Sequence, residues 1–313
     1  MKFWDQFEKG FSCLAPMDGV TDIVFRQVVA RAGRPDVFFT EFTNVSSYAS
    51  ERGRANAMER LRFLPEERPI VAQIWGSKPE HFEICASGVR DMGYEAVDIN
   101  MGCPERHVVG TGGGSGLIRT PELAAEIIAA TKTAGLATSV KTRLGYTSVD
   151  EWKEWLGHLL AQGLDALTVH LRTKKEMSKV AAHYELVEEI VALRDRKAPG
   201  TKLIVNGDIG TLEEGRRFVE MGVDGVMIGR GIFRDPATFL LEKSQEGLKK
   251  RMELLWYHLD LFDEYDISHF EPLKRFFKIY VNNFEGASEV RERLMECKDT
   301  GEVRAIYCRS KKY

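Results

Sequence analysis

The chain has 313 residues, 43% hydrophobic and 29% charged, which exceeds one small domain and suits a large domain with an appendage. No apolar run is long enough to span a bilayer. The five cysteines are scattered with no CxxC pair, which argues against a disulfide framework or a metal site and predicts a reducing, cytoplasmic setting. A formal net charge of −3 excludes a whole-molecule field that gathers nucleic acid, so any such partner must meet a local basic patch.

The first twelve residues, MKFWDQFEKGFS, are mixed and charged and lack the apolar centre of a signal peptide. From there, apolar runs rich in Val, Ile, Phe and Thr recur at 11–17, 37–42, 70–75, 96–100, 138–143, 166–170, 203–207 and 225–229. Each is nearly continuous rather than alternating, as strands buried on both faces are. Helical spacing fills the intervals, most clearly at 121–135, at 149–163 ending on Gly163, and at 211–222, where Thr211 and Glu214 have the spacing of a capping box. Eight strands alternating with helices predict an α/β protein, a (β/α)8 TIM barrel over residues 1–240. A doubly wound sheet is the alternative, but it would carry its glycine fingerprint after the first strand. Beyond residue 240 the strand signals stop. EGLKKRMELLWYHLDLFDEY, EPLKRFFKIYVNNF and SEVRERLMECK predict an all-helical C-terminal domain over 241–313.

In such a barrel, chemistry sits at the C-terminal ends of the strands. Those ends carry Pro16, Met17, Glu41, Gln73, Asn100, Cys103, Lys141, Arg143, His170, Arg172, Asn206, Gly207, Asp208, Gly229 and Arg230. Apolar strands have little reason to end so regularly on reactive groups. A single cysteine is commonly inert, but Gly102 and Pro104 make a rigid turn that presents Cys103 as a nucleophile or proton donor. A lysine closing a core strand is costly without a partner, so Lys141 is predicted to hold negative charge on a phosphate or a reduced cofactor ring. His170 alone reads as a core residue, and beside Lys141 as a site residue. Gln73 suits the edge of a heteroaromatic ring. The glycines and Arg230 at the last two strand ends suit a phosphate. GTGGGSG (110–116) fits either a flexible loop or a place where a planar group or an RNA backbone comes close.

Taken together, LAPMDGVTD (14–22), TEF (40–42), VAQIWG (71–76), DINMGCP (98–104), SVKTRLG (139–145), VHLRT (169–173), VNGDI (205–209) and MIGRG (227–231) resemble the tRNA-dihydrouridine synthases. The resemblance spans residues 12–240, with a looser match beyond. It implies an FMN-binding barrel that reduces particular uridines in tRNA with NADPH, a hydride passing from flavin N5 to uracil C6 and a proton from Cys103 to C5. It places Pro16, Met17, Gln73, Lys141, His170, Asn206, Gly207, Asp208, Gly229 and Arg230 around the flavin. Asn100, Arg143 and Arg172 fall on the substrate side. The C-terminal helices are expected to hold tRNA, with Lys274 and Arg275 in LKRFFK as contacts and Lys249–Arg251 and 309–312 as further basic clusters. After VHLRT the chain departs from the family's Gln-aromatic and Gly-x-Ala-Asp-Trp pattern: Glu176, His183 and Tyr184 stand there instead. Two competing readings are a flavin barrel acting on a small pyrimidine and an RNA-binding protein without redox turnover.

Overall fold

A computed structural model of the chain describes residues 2–240, 248–265, 269–282 and 284–309. In chain order it runs β1 (Phe11–Leu14), α1 (Ile23–Ala32), β2 (Phe38–Phe39), β3 (Thr43–Asn44), α2 (Val45–Ala49), α3 (Glu51–Arg60), β4 (Ile70–Trp75) and α4 (Pro79–Asp91). It continues through β5 (Ala96–Met101), α5 (Arg106–Gly110), α6 (Pro121–Lys132), β6 (Ala137–Arg143), α7 (Trp152–Leu160), β7 (Ala166–His170), α8 (Val187–Lys197), β8 (Lys202–Asn206), α9 (Leu212–Glu220) and β9 (Gly225–Ile228). The helices α10 (Leu248–Glu264), α11 (Phe277–Tyr280), α12 (Ala287–Glu296) and α13 (Thr300–Arg309) follow.

All strand pairs are parallel, in the order β1-β9-β8-β7-β6-β5-β4-β2. A bridge between Cys13 and Val37 brings the two ends of that path together. The result is a nearly closed eight-stranded (β/α)8 barrel, as the recurring apolar runs predict. One strand differs. The run at 37–42 is a strand only at β2, and β3 follows just past its end; both pair with β4. The reason lies at Thr40, whose hydroxyl accepts the Gln73 N–H at 3.0 Å and so takes a place in the ladder that a backbone carbonyl would fill. At 211–222 the cap forms with a shift: Thr211 accepts from the Glu214 N–H, while the Glu214 carboxylate reaches past it to the Gly210 N–H.

The barrel floor is plugged from the N-terminus. Trp4, on a 3-10 turn over Phe3–Gln6, is 1% exposed and packs with Phe11 and Phe39 in a cluster that includes Cys13, Val71, Ala166 and Met227. In sequence that segment reads only as mixed and charged. Closure of β1 on β9 pairs Phe11 with Gly225. A Cβ at Gly225 would lie 2.6 Å from the Phe11 ring. We therefore expect Gly225→Ala to destabilise the barrel by about 1–3 kcal/mol through overpacking, read as a lower urea midpoint; an unchanged midpoint would contradict this closure geometry.

The chain divides into two compact units, residues 1–23 with 35–229, and 24–34 with 230–313. The expected boundary at 240 adjoins residues 241–247, which lie outside the described residues, as do 310–312 of the basic cluster at 309–312. Within the second unit, Phe25 of α1 stacks against Phe276 at 4.4 Å and lies near His258. His258 is held by the Tyr280 hydroxyl at 2.7 Å, and burial pushes its pKa down to about 3, so it serves the fold as a neutral ring. Among the described residues no helix is long and apolar enough to cross a membrane, and no cluster of His, Cys, Asp and Glu could hold a metal.

Candidate active site

Strand register collects the site. Gln73 pairs with Asp98, Asp98 with Ser139, Asn100 with Lys141, Arg143 with His170, and His170 with Asn206. Residues two apart on a strand share a face, so Asp98 and Asn100 stand one above the other, as do Ser139 and Lys141. A hydrogen-bonded chain crosses these rungs. The Ser139 hydroxyl donates to Asp98 Oδ1 at 2.6 Å, and Gln73 Nε2 donates to Asp98 Oδ2 at 2.7 Å. Asn100 Nδ2 donates to Gln73 Oε1 at 3.0 Å. Asn100 Oδ1 then accepts the N–H groups of Gly102 at 3.1 Å and Cys103 at 2.9 Å. Asp98 is fully buried, and that burial raises its pKa to about 6.

Cys103 leaves β5 on this turn, partly exposed. Its carbonyl accepts the Ser115 N–H at 3.0 Å and the Ser115 hydroxyl at 2.9 Å. Burial pushes the thiol pKa up, against a smaller opposing effect of the Glu105 N–H, so the thiol keeps its proton at neutral pH. The glycine loop folds back on this turn. Gly114 has φ +54, and a Cβ there would meet the Cys103 carbonyl oxygen at 2.8 Å and Val108 at 2.7 Å. The close approach at this glycine is therefore made by the chain's own backbone. Gly114→Ala is expected to displace the Cys103 turn and cost about 1–3 kcal/mol; an unchanged melting temperature with an unchanged Cys103 alkylation rate would refute it.

Lys141 lies one strand over. Its ammonium makes no hydrogen bond or ion pair with any described residue, and burial together with neighbouring Arg143 lowers its pKa to about 8. Arg143, 8% exposed, directs its donors to backbone carbonyls: Gly102 at 2.7 Å, Thr173 at 3.2 Å and Met177 at 3.1 Å. It braces the Cys103 turn to the loop after β7. Arg172, 1% exposed, binds the Val180 carbonyl and pairs with Asp208, itself at φ +55. Asn206 Nδ2 donates to the Met227 carbonyl at 2.7 Å. A Cβ on Gly207 would lie 3.5 Å from the His170 ring, and one on Gly229 3.7 Å from Met17 Sδ. Met17, following Pro16 past β1, is anchored by its N–H to Thr21 Oγ1. Arg230 follows Gly229 and opens the 3-10 turn Arg230–Phe233.

The departing loop after β7 is ordered by its own chemistry. His183 lies between Glu176 and Glu185, each at 2.9 Å. Burial lowers its pKa, but the two carboxylates outweigh that and raise it. The Tyr184 hydroxyl donates to the Gly207 carbonyl at 2.8 Å. Beside Cys103 opens a cavity of about 530 Å³, within the range of small-molecule sites, whose lining includes Asp18, Phe42, Asn56, Trp75 and His107. Arg60 on its wall pairs with Asp18 at 2.5 Å and lies 3.5 Å from Glu41, which also accepts the Gly19 N–H. In the second unit, Arg275 is exposed, while the Lys274 ammonium pairs with Glu271 at 2.6 Å. Phe276 and Phe277 are buried and are not surfaces for base stacking.

Several contributors escape a sequence reading. Asp98 carried one signal, a carboxylate inside an apolar strand with period-two spacing to Asn100. Ser139 and Ser115 carried none, because small hydroxyls are common everywhere. Thr40, Asn56 and Arg60 come from the broken second strand and the helix behind it.

The sequence profile of the dihydrouridine synthase (Dus) family matches residues 13–312. The chain is 54% identical over 308 residues to the probable tRNA-dihydrouridine synthase 2 of Bacillus subtilis (strain 168), covering 97% of this chain and 95% of that one. It is 51% identical over 308 residues to a probable tRNA-dihydrouridine synthase of Staphylococcus epidermidis (strain ATCC 35984), covering 97% and 94%. A solved structure of histamine dehydrogenase from Rhizobium sp. 4-9 superposes with a TM-score of 0.53 at 16% identity, over 72% of this chain and 44% of that one, a likeness of fold alone. The profile match over nearly the whole chain, with a barrel that gathers the matched motifs at one mouth, makes this protein a member of the dihydrouridine synthase family.

Proposed function

We propose that this protein is an FMN-dependent tRNA-dihydrouridine synthase, which uses NADPH to reduce the C5=C6 bond of specific uridines in tRNA to 5,6-dihydrouridine. The observation that carries this reading is the Cys103 thiol, protonated and held on a cavity wall, with the Lys141 ammonium one strand away. The family profile and the names of the relatives support it.

The residues fit a flavin. A buried ammonium without a hydrogen-bonded partner, near the end of a core strand, suits an anionic ring edge or a phosphate. Pro16, Met17, Gln73, Lys141, His170, Asn206, Gly207, Asp208, Gly229 and Arg230 would hold it. When bound and reduced, a flavin supplies the hydride for uracil C6. The remaining work falls to the chain. Hydride addition leaves negative charge on C5 and the C4 oxygen, and Cys103 donates the proton that C5 needs. The Glu105 N–H stabilises the thiolate left behind. Lys141 balances the developing charge. The target base must leave its stack to reach the thiol, and the cavity beside Cys103 gives it room. Arg143 and Arg172, tied to backbone and to Asp208, keep the loops around the substrate in place, with Asn100 below the thiol. Residues 241–313 would hold tRNA, with Lys274 and Arg275 among the contacts.

The test uses purified protein reconstituted with FMN, NADPH and an unmodified tRNA transcript. Dihydrouridine detected by mass spectrometry is expected. NADPH oxidation without dihydrouridine, together with turnover of a free pyrimidine, would favour the small-molecule reading instead.

A further inference from the structure

Gln73 is 0% exposed; its Nε2 donates to Asp98 and its Oε1 accepts from Asn100. We propose that Asp98 and Gln73 are positioning residues for Cys103: together they form a directional relay that fixes Asn100, and through Asn100 the turn that carries the thiol. The proposal rests on the reading of Cys103 as proton donor.

Direction is imposed from both ends. A carboxylate can only accept. Asp98 takes one hydrogen bond from Ser139 and one from Gln73, so Gln73 must turn its Nε2 toward it. The Gln73 oxygen then faces Asn100, which must answer with Nδ2. The Asn100 oxygen is thereby left for the turn, where backbone N–H groups of Gly102 and Cys103 can only donate. At each link of the path from Ser139 to Cys103 a donor meets an acceptor. The members lie far apart in sequence and on three adjacent strands, so the barrel itself holds the relay taut. In a low-dielectric interior such a chain is cooperative when complete and costly when one link is reversed.

The test is a double-mutant cycle of Gln73→Glu, Asp98→Asn and the pair together. Gln73→Glu sets two carboxylates against each other and breaks the relay. The pair restores it with the charge moved one step. The new amide at position 98 donates its N–H to the new carboxylate at position 73 and accepts from Ser139 through its oxygen, so Asn100 keeps its orientation. Gln73→Glu should lower kcat for tRNA reduction by about tenfold or more with KM for tRNA little changed, a loss within the range of a misplaced general acid. It should also raise the alkylation rate of Cys103 by iodoacetamide, with buried Cys85 and Cys297 as internal references. Asp98→Asn should cost less, because an amide can still turn its oxygen to Gln73. The pair should recover most of what Gln73→Glu loses in both readouts, even though it still carries the introduced carboxylate beside the cofactor. A pair no better than Gln73→Glu, or a Gln73→Glu variant equal to the parent, overturns the relay. If Gln73→Glu does not fold, Gln73→Met removes both arms without charge, and parent-like alkylation of Cys103 then overturns it. A parent protein that forms no dihydrouridine would sink the proposed function, while the alkylation readout would still decide the relay.

Discussion

Replacing Cys103 by alanine should lower the single-turnover rate of uridine reduction by about 10²–10⁴-fold, the usual worth of a positioned general acid, while flavin and tRNA affinities stay near the parent values. The thiol sits on a turn fixed from both sides, by Asn100 under its N–H and Ser115 at its carbonyl, so its removal takes away a proton source and little packing. The pH profile adds a second check. An acid works while protonated, and burial holds this thiol above its ordinary value of 9.0. The Cys103-dependent rate should thus persist through neutral pH and fall only in the alkaline range. Cys103→Ser, whose hydroxyl titrates far higher, should be slow and should keep only the alkaline fall that loss of the Lys141 ammonium causes. A Cys103→Ala protein as fast as the parent would remove the acid assignment.

Lys141→Met should cost about 10²–10³-fold in kcat, comparable to losing one preorganised charge-stabilising donor, and should at the same time leave the flavin-free protein at least as stable. The two effects share one cause. An ammonium without a hydrogen-bonded partner is held in a partly buried place that disfavours its charge. Its folded-state pKa, about 8 against an ordinary 10.5, means that the charged form destabilises the fold below pH about 8. That penalty is relieved as pH rises from about 8 toward 10.5. Methionine removes it across the range, so the variant's melting advantage should be largest at neutral pH and shrink in alkali. FMN affinity of the parent should weaken above pH about 8, where the ammonium is lost, and that dependence should vanish in Lys141→Met. A variant that melts lower than the parent at pH 7 and binds FMN with the parent's pH profile would refute this account of Lys141.

Much of the barrel is legible because burial on both faces leaves its mark on local composition. IVAQIW, AVDIN, TSVKTR and ALTVH each become a strand within a residue or two of their apolar bounds. The second strand was less legible, because its interruption depends on the Thr40 hydroxyl meeting Gln73 N–H, a contact across 33 positions. VEEIVALRDRK, which becomes α8, is weakly marked in sequence, because charged residues interrupt its apolar positions. The stretch at 274–278 interleaves cations with aromatics, a pattern that favours RNA contact. Its phenylalanines instead fill the helical unit, since composition alone cannot say which face of a short helix is covered.

By itself, the sequence determined the alternation of strand and helix, the strand ends at which reactive groups gather, and the identity of the thiol and the ammonium. These follow from period, composition and position in the chain, all local quantities. Only the tertiary structure decided which group orients which. The line from Ser139 through Asp98, Gln73 and Asn100 to Cys103, the Arg143 brace from Gly102 to the loop after β7, and the Trp4 plug join residues far apart in sequence. Their partners are set by strand register and by the demand that every buried polar group be satisfied, conditions that exist only once the barrel has closed.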